Sequence, residues 1–180
     1  VNLREDGSAQ ADAALLTGHF ARFGEWTEIA SLVEGHFMEK VAPGAFGKTI
    51  REDGKQMRVL FNHGSDPTLG KQILGDVETL REDSVGAYYA VRVFDGLPQL
   101  LRSGLAAGVY GSSFRFSVER EQYVTNTKRS SYNPKALPER TILEARVYEF
   151  GPVSFPAYEG ATSQLGKPKP RSRRTNWRLS

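Results

Sequence analysis

The chain has 180 residues, 25% of them charged and 39% hydrophobic, with no cysteine and a formal net charge of +3. That length suits one domain with a substantial core. The missing cysteine excludes disulfides, thiolate zinc sites and a cysteine nucleophile, and fits a reducing compartment. No apolar run approaches the roughly 20 residues that span a bilayer, and the acidic, polar start VNLREDGSAQADAALL lacks the character of a signal peptide. The positive charge is unevenly placed. The tail KPKPRSRRTNWRLS, residues 167–180, holds six basic residues and no acid, so the rest of the chain is mildly acidic. Such a tail reads as a solvated, disordered end or as a docking arm for an acidic partner. Clustered charge alone, with no aromatic stacking platform beyond Trp177, does not imply nucleic-acid binding.

In chain order, residues 1–16 read as a flexible segment. Thr17–Phe23 and Ile29–Met38 carry strand-like patterns joined by a turn near Gly24. Pro43-Gly44-Ala45-Phe46 opens a short helical segment that ends at Gly54. Met57–Asn62 is a compact apolar strand, and His63–Leu69 (HGSDPTL) has the Gly, Ser, Asp and Pro of a loop. Gly70–Leu80 and Val85–Phe94 read as strands around the turn REDS. Leu97, Leu100, Leu101 and Leu105 then form one stripe of a helix, with Asp95 as a cap and Pro98 in its first turn.

The next segment, GVYGSSFRF at 108–116, sets two serines side by side in a strand that runs to Glu119. Side chains alternate faces along a strand. Ser112, Phe114, Phe116 and Val118 therefore share an apolar face, and Ser113, Arg115, Ser117 and Glu119 share a polar one. Residues 120–139 are polar and hold two prolines, as a long excursion or mobile flap would. In the following strand, Thr141–Glu149, Leu143, Ala145 and Val147 share the apolar parity while Glu144, Arg146 and Tyr148 share the other. GPVSFPAY turns the chain toward its tail. Strands dominate, and a mostly antiparallel β core, barrel-like or sandwich, accommodates them.

His63, Ser113 and Glu144 stand out. A serine hydroxyl needs a histidine to take its proton, and the histidine needs a partner that fixes its tautomer and stabilises the imidazolium. The serine and the glutamate lie on polar faces of sequential strands, which often pair. Each residue also has an ordinary reading: a polar turn histidine, a strand serine, and a glutamate in a cross-strand ion pair. His19 and His36 are alternative bases.

Five pieces in order carry a family resemblance: APGAFGKTI at 42–50, VLFNHGSDPTLGK at 59–71, YGSSFRFSV at 110–118, RTILEARVYEFGPVSFPAY at 140–158, and the Thr-Ser pair that follows. The chain resembles the prohead maturation proteases of tailed bacteriophages, serine peptidases that share a fold with the herpesvirus capsid assembly protease. The likeness covers roughly residues 17–163 and leaves 164–180 as a basic tail. It implies a mostly β domain with a few helices, an antiparallel β-barrel of the herpesvirus-protease type. It implies a catalytic histidine at His63, behind Asn62 and ahead of Leu69-Gly70. It implies a nucleophile at Ser113 rather than Ser112, with Arg115 standing where glycine is common. The acid falls on Glu144, which precedes Gly151 by seven residues, with Glu149 as the alternative. Backbone N–H groups near Gly151 are the oxyanion candidates. No cofactor is implied. The substrates would be the scaffold protein or the scaffolding segment of the major capsid protein, and the enzyme itself, inside the assembling procapsid in the host cytoplasm. The rival reading is a catalytically inactive assembly protein with the same fold. Oligomeric state stays open.

Overall fold

The computed structural model describes residues 14–54 and 56–166; the N-terminal segment 1–13 and the basic tail 167–180 lie outside them. Among the described residues no helix is long and apolar enough to cross a membrane. The described residues form nine strands and two helices in order: β1 (Leu15–Arg22), β2 (Thr27–Ser31), β3 (Gly35–Val41), α1 (Gly47–Asp53), β4 (Arg58–Val59), β5 (Gly75–Glu82), β6 (Gly86–Val93), α2 (Gln99–Ala107), β7 (Gly111–Val124), β8 (Glu139–Val153) and β9 (Gln164–Gly166). A 3-10 turn, Asn62–Gly64, follows β4. Strand β1 starts at Leu15 and β9 ends at Gly166.

The strands form two open sheets. One has the order β5-β6-β1-β9; in the other β2-β3-β8-β4 run side by side and β7 pairs with β8. This corrects the expected antiparallel barrel. The architecture is mostly β, but neither sheet closes, and β8 takes β3 and β4 as parallel neighbours along one edge while β7 runs antiparallel along the other. Parallel pairing needs a crossover rather than a tight hairpin. The long chain between β4 and β8 supplies it, and the segment from β3 through α1 to β4 fills the gap between the two parallel partners, where the Ala145 amide donates to the Ala45 carbonyl at 2.9 Å.

One apolar core joins the sheets. Phe20 of β1 is fully buried and meets the rings of Phe46, Phe114 and Phe150 at 5.1–5.2 Å between centroids, Phe46 also meeting Phe114 at 5.5 Å. Phe114 further stacks on Phe116 at 4.6 Å and on Tyr158 at 5.8 Å. Truncating such a ring costs about 3–5 kcal/mol. The polar residue next to Phe114 on either side is therefore held on a strand that cannot slip.

Three local expectations change. Ile29–Met38 is not one strand: Ser31 Oγ accepts from the Val33 and Glu34 amides and Gly35 has φ +95°, so the chain reverses between β2 and β3. In α2 the buried stripe is Leu101 and Leu105, with Leu97 packed against the core and Leu100 84% exposed; Pro98, not Asp95, occupies the N-cap. The excursion after β7 is shorter than expected, because β7 and β8 continue pairing out to Val124 and Glu139. What remains of it is organised by Asn133, fully buried, whose amide exchanges hydrogen bonds with the backbone of Leu137 in both directions at 2.8 Å.

The REDS turn is fastened by Asp83. Its carboxylate accepts from the Val85 and Gly86 amides and from His19 Nε2, at 2.9–3.0 Å. Burial works against ionisation, but the Val85 amide, His19 and the Gly86 amide outweigh it and hold the carboxyl at about 2, from an ordinary 3.8. A carboxylate depressed in the folded state stabilises above its unfolded value, and that contribution is lost as pH falls toward the folded one. Asp83→Asn should therefore melt below the wild type at about pH 5, and the gap should close on the way to about pH 2. Thermal denaturation across that range checks it; a gap that stays constant would mean the charge of Asp83 is not what stabilises the turn.

Candidate active site

His63 arrives by an unusual backbone path. Strand β4 lies in parallel register with β8, Val59 beside Phe150, and the Leu60 amide donates to the Phe150 carbonyl at 3.1 Å. Phe61 then packs edge-on against Tyr110. Asn62, His63 and Gly64 follow with φ of 46°, 56° and 72°, three left-handed residues in a row. A non-glycine residue held this way costs roughly 1–3 kcal/mol, and asparagine tolerates it better than most. The neighbourhood fixes it. Asn62 Oδ1 accepts from the Ser154 amide at 2.9 Å, tying the turn to the chain just past β8. The turn packs against both β7 and β8.

Gly151 makes that approach feasible. A Cβ there would meet the Leu60 carbonyl oxygen at 2.0 Å, so any side chain would push the segment leading to His63 away from the sheet. Gly151 is the register partner of Ser113, and Glu149 that of Arg115. Ser113, Arg115, Glu149 and Gly151 thus share one face of the β7–β8 ribbon, opposite Phe114 and Phe150.

On that face His63 Nδ1 donates to Glu149 Oε1 at 2.5 Å. A carboxylate only accepts, so Nδ1 carries the hydrogen and Nε2 of a neutral ring keeps its lone pair for another proton. The Glu149 side chain is 8% exposed and that of His63 25% exposed, which leaves the acid sheltered and the base reachable.

Ser113 is buried and makes no side-chain hydrogen bond among the described residues, whereas Ser112 is fully buried and its hydroxyl donates to the Gly151 carbonyl at 3.2 Å. Ser113 borders a cavity of about 330 Å³ shared with Phe116, Ser117, Glu39, Arg140 and Tyr158. Burial pushes the Glu39 carboxyl up, against the hydrogen bond from the Tyr158 hydroxyl and the charge of Arg140 3.3 Å away.

Glu144, the acid favoured from the sequence, is not brought to His63. It accepts from Lys48 Nζ at 3.1 Å, its register partner is Arg120, and it stands roughly 16 Å of strand from Glu149 at about 3.3 Å per residue. Glu149 reaches His63 instead because of a β-bulge. Arg115 pairs with Glu149 but Phe116 pairs with Val147, leaving Tyr148 as the extra residue on β8. One extra residue reverses parity along the strand. Glu149 therefore faces away from the core although it is two residues from buried Val147. The other histidines are engaged elsewhere, His19 with Asp83 and His36 with Glu28.

The sequence also underrated Asn62, whose role as the anchor of the histidine turn depends on Ser154, far off in the chain. The Asn-His-Gly run was its only local signal.

A buried carboxylate on an imidazole, one strand face shared with a serine, is the equipment for taking a proton from a hydroxyl. No curated protein and no solved structure matches this chain. The family model of the caudovirus prohead serine proteases matches it over residues 1–172. With nearly the whole chain matched, it belongs to the caudovirus prohead serine protease family.

Proposed function

We propose that this chain is the endopeptidase that cleaves the scaffold protein, or the scaffolding segment of the major capsid protein, within the immature shell, and that it trims itself there. Ser113 is the nucleophile, His63 the general base and Glu149 the orienting acid. The observation that carries this reading is the hydrogen bond of 2.5 Å between His63 and Glu149 on the strand face that also bears Ser113.

In the acylation step Ser113 Oγ bonds to the scissile carbonyl carbon and its proton passes to His63 Nε2. Glu149 stabilises the imidazolium so formed and holds the ring in the productive tautomer. His63 then returns the proton to the leaving amine as the peptide C–N bond breaks. Water repeats the sequence to release the acyl group. Every part is supplied by side chains and backbone donors, and backbone N–H groups near Gly151 are the oxyanion donors in this scheme.

The test is made on assembled particles. Proheads are formed from the phage capsid and scaffold proteins with either the wild-type chain or Ser113→Ala, and the proteins are weighed by mass spectrometry. Shortened capsid or scaffold chains only with the wild type support the proposal. Full-length proteins with both chains favour an assembly protein without proteolysis, and shortening with both excludes Ser113 as nucleophile.

A further inference from the structure

The cavity beside Ser113 takes no part in the proton transfers. Its volume is about 330 Å³. Ligand pockets run from about 300 to 1,000 Å³, so this one suits a single long side chain rather than a stretch of chain. Its walls are of two kinds. Phe114 and Phe116 of β7, Ile29 of β2 and Phe37 of β3 make the apolar part. Glu34, Glu39, Arg140 and Tyr158 make the polar part.

The charges of the polar part do not balance. Arg140 is the one cation among the lining residues, and three carboxylates share it. Glu34 Oε1 lies 3.0 Å away, Glu39 Oε2 3.3 Å, and Glu121 Oε2, reaching in from β7, 2.7 Å. Arg115, two residues past Ser113, is turned to Glu149 instead. Glu39 is 4% exposed, so solvent does little to screen it. Burial pushes its carboxyl up; the Tyr158 hydroxyl and Arg140 oppose that, and the charges of Glu34 and Glu121 add to it. An excess of acid in a sheltered cavity attracts a cation and repels another anion.

We propose that this cavity is the pocket for the substrate side chain on the acyl side of the cleaved bond, and that it selects lysine or arginine, with the aliphatic stem against Phe114 and Phe116 and the cationic head toward Glu34 and Glu39. The inference rests on Ser113 being the nucleophile. The attacked carbonyl carbon is bonded to the Cα that carries this side chain, so the side chain needs space next to Ser113. Lysine and arginine join an apolar stem to a charged end, as the two kinds of wall require. An apolar side chain would bury the acids without answering their charge, and an acidic one would set a fourth carboxylate around one guanidinium.

The experiment uses the full chain and aminoalkyl phosphonate diphenyl esters bearing the side chain of lysine, norleucine or glutamate. Norleucine keeps an aliphatic stem and lacks the charge. In the reaction Ser113 Oγ bonds to phosphorus and phenoxide leaves; the serine proton passes to His63 and from there to the phenoxide, giving phenol. Mass spectrometry locates the label. Diisopropyl fluorophosphate, which carries no such side chain, gives the reference rate for each variant. Relative to that reference, the lysine probe should label at least about ten-fold faster than the norleucine probe, the discrimination expected of hydrogen bonds to charged groups, and the glutamate probe should be slowest. Glu34, 56% exposed, can be changed without opening the core. Glu34→Gln should reduce the lysine preference a few-fold, and Glu34→Lys should reduce it further and speed the glutamate probe. Norleucine or glutamate labelling as fast as lysine would overturn the inference and leave the nucleophile assignment intact, and so would a lysine preference unmoved by both Glu34 variants. No label on Ser113 from the fluorophosphate would instead remove the functional reading, and this one with it.

Discussion

Ser113→Ala abolishes proteolysis and Ser112→Ala does not: that is the expected result for the two neighbouring hydroxyls. Loss of an activated nucleophile lowers the rate by several orders of magnitude, since the remaining donors and the bound geometry supply only a small part of catalysis. Ser113→Ala removes no hydrogen bond made by the serine among the described residues, so its melting temperature should stay close to that of the wild type. Ser112→Ala removes a buried donor to the Gly151 carbonyl, for which a cost of about 1 kcal/mol is typical. The two variants should therefore separate cleanly, one losing activity with its stability kept and the other losing some stability with most of its activity kept. Peptide-bond cleavage and thermal denaturation of both variants check this. The opposite pattern of activity would place the nucleophile on the core face and end the proposed assignment.

Glu149→Gln should come next in severity, and Glu144→Gln should be mild. The glutamine keeps the shape of the acid but removes the charge that stabilises the imidazolium, and its amide end can turn a donor toward Nδ1 and favour the wrong tautomer. In a Ser-His-Asp serine peptidase the equivalent change of carboxylate to amide costs about 10⁴ in kcat. A loss of the order of 10³–10⁴ is expected here by the same reasoning. Among the described residues Glu144 pairs with the exposed Lys48, an ion pair weakened by solvent, and its loss should leave cleavage within a few-fold of wild type. Side-by-side assays decide it. Equal losses from the two variants would mean that the Glu149–His63 hydrogen bond does not serve catalysis.

The alternation along β7 was legible because nothing interrupts it between Ser112 and Arg115: Phe114 is buried in the core and Ser113 and Arg115 lie on the other face, as period two requires. The leucine spacing of α2 and the turn chemistry at Asp83 were legible for the same local reasons. Counting along β8 failed because a bulge at Tyr148 has no signature in the chain itself; it is defined only by the register with β7. A two-residue slip would have been harmless to the count, whereas a one-residue bulge exchanges faces. The parallel pairings of β8 with β3 and β4 bring together segments about a hundred residues apart, and local patterning cannot reveal them. His63 itself was found as a loop histidine at the end of a strand, but the left-handed path that aims it was not, because it is held from Ser154 rather than by its own neighbours.

That anchorage sets a clock on the enzyme. The histidine turn is held by Ser154 and by an approach that only Gly151 permits, and its carboxylate partner is Glu149. During synthesis the chain runs from one end to the other, and the segment with His63 and then the one with Ser113 exist long before the final stretch of β8 is made. Until that stretch docks between β4 and β7, His63 lacks its hydrogen bond to Glu149 and its turn lacks the tie to Ser154. Pairing of such distant segments is also among the slower events in folding. On the proposed assignment a nascent or half-folded chain would be inert, and proteolytic competence would follow completion of the sheet.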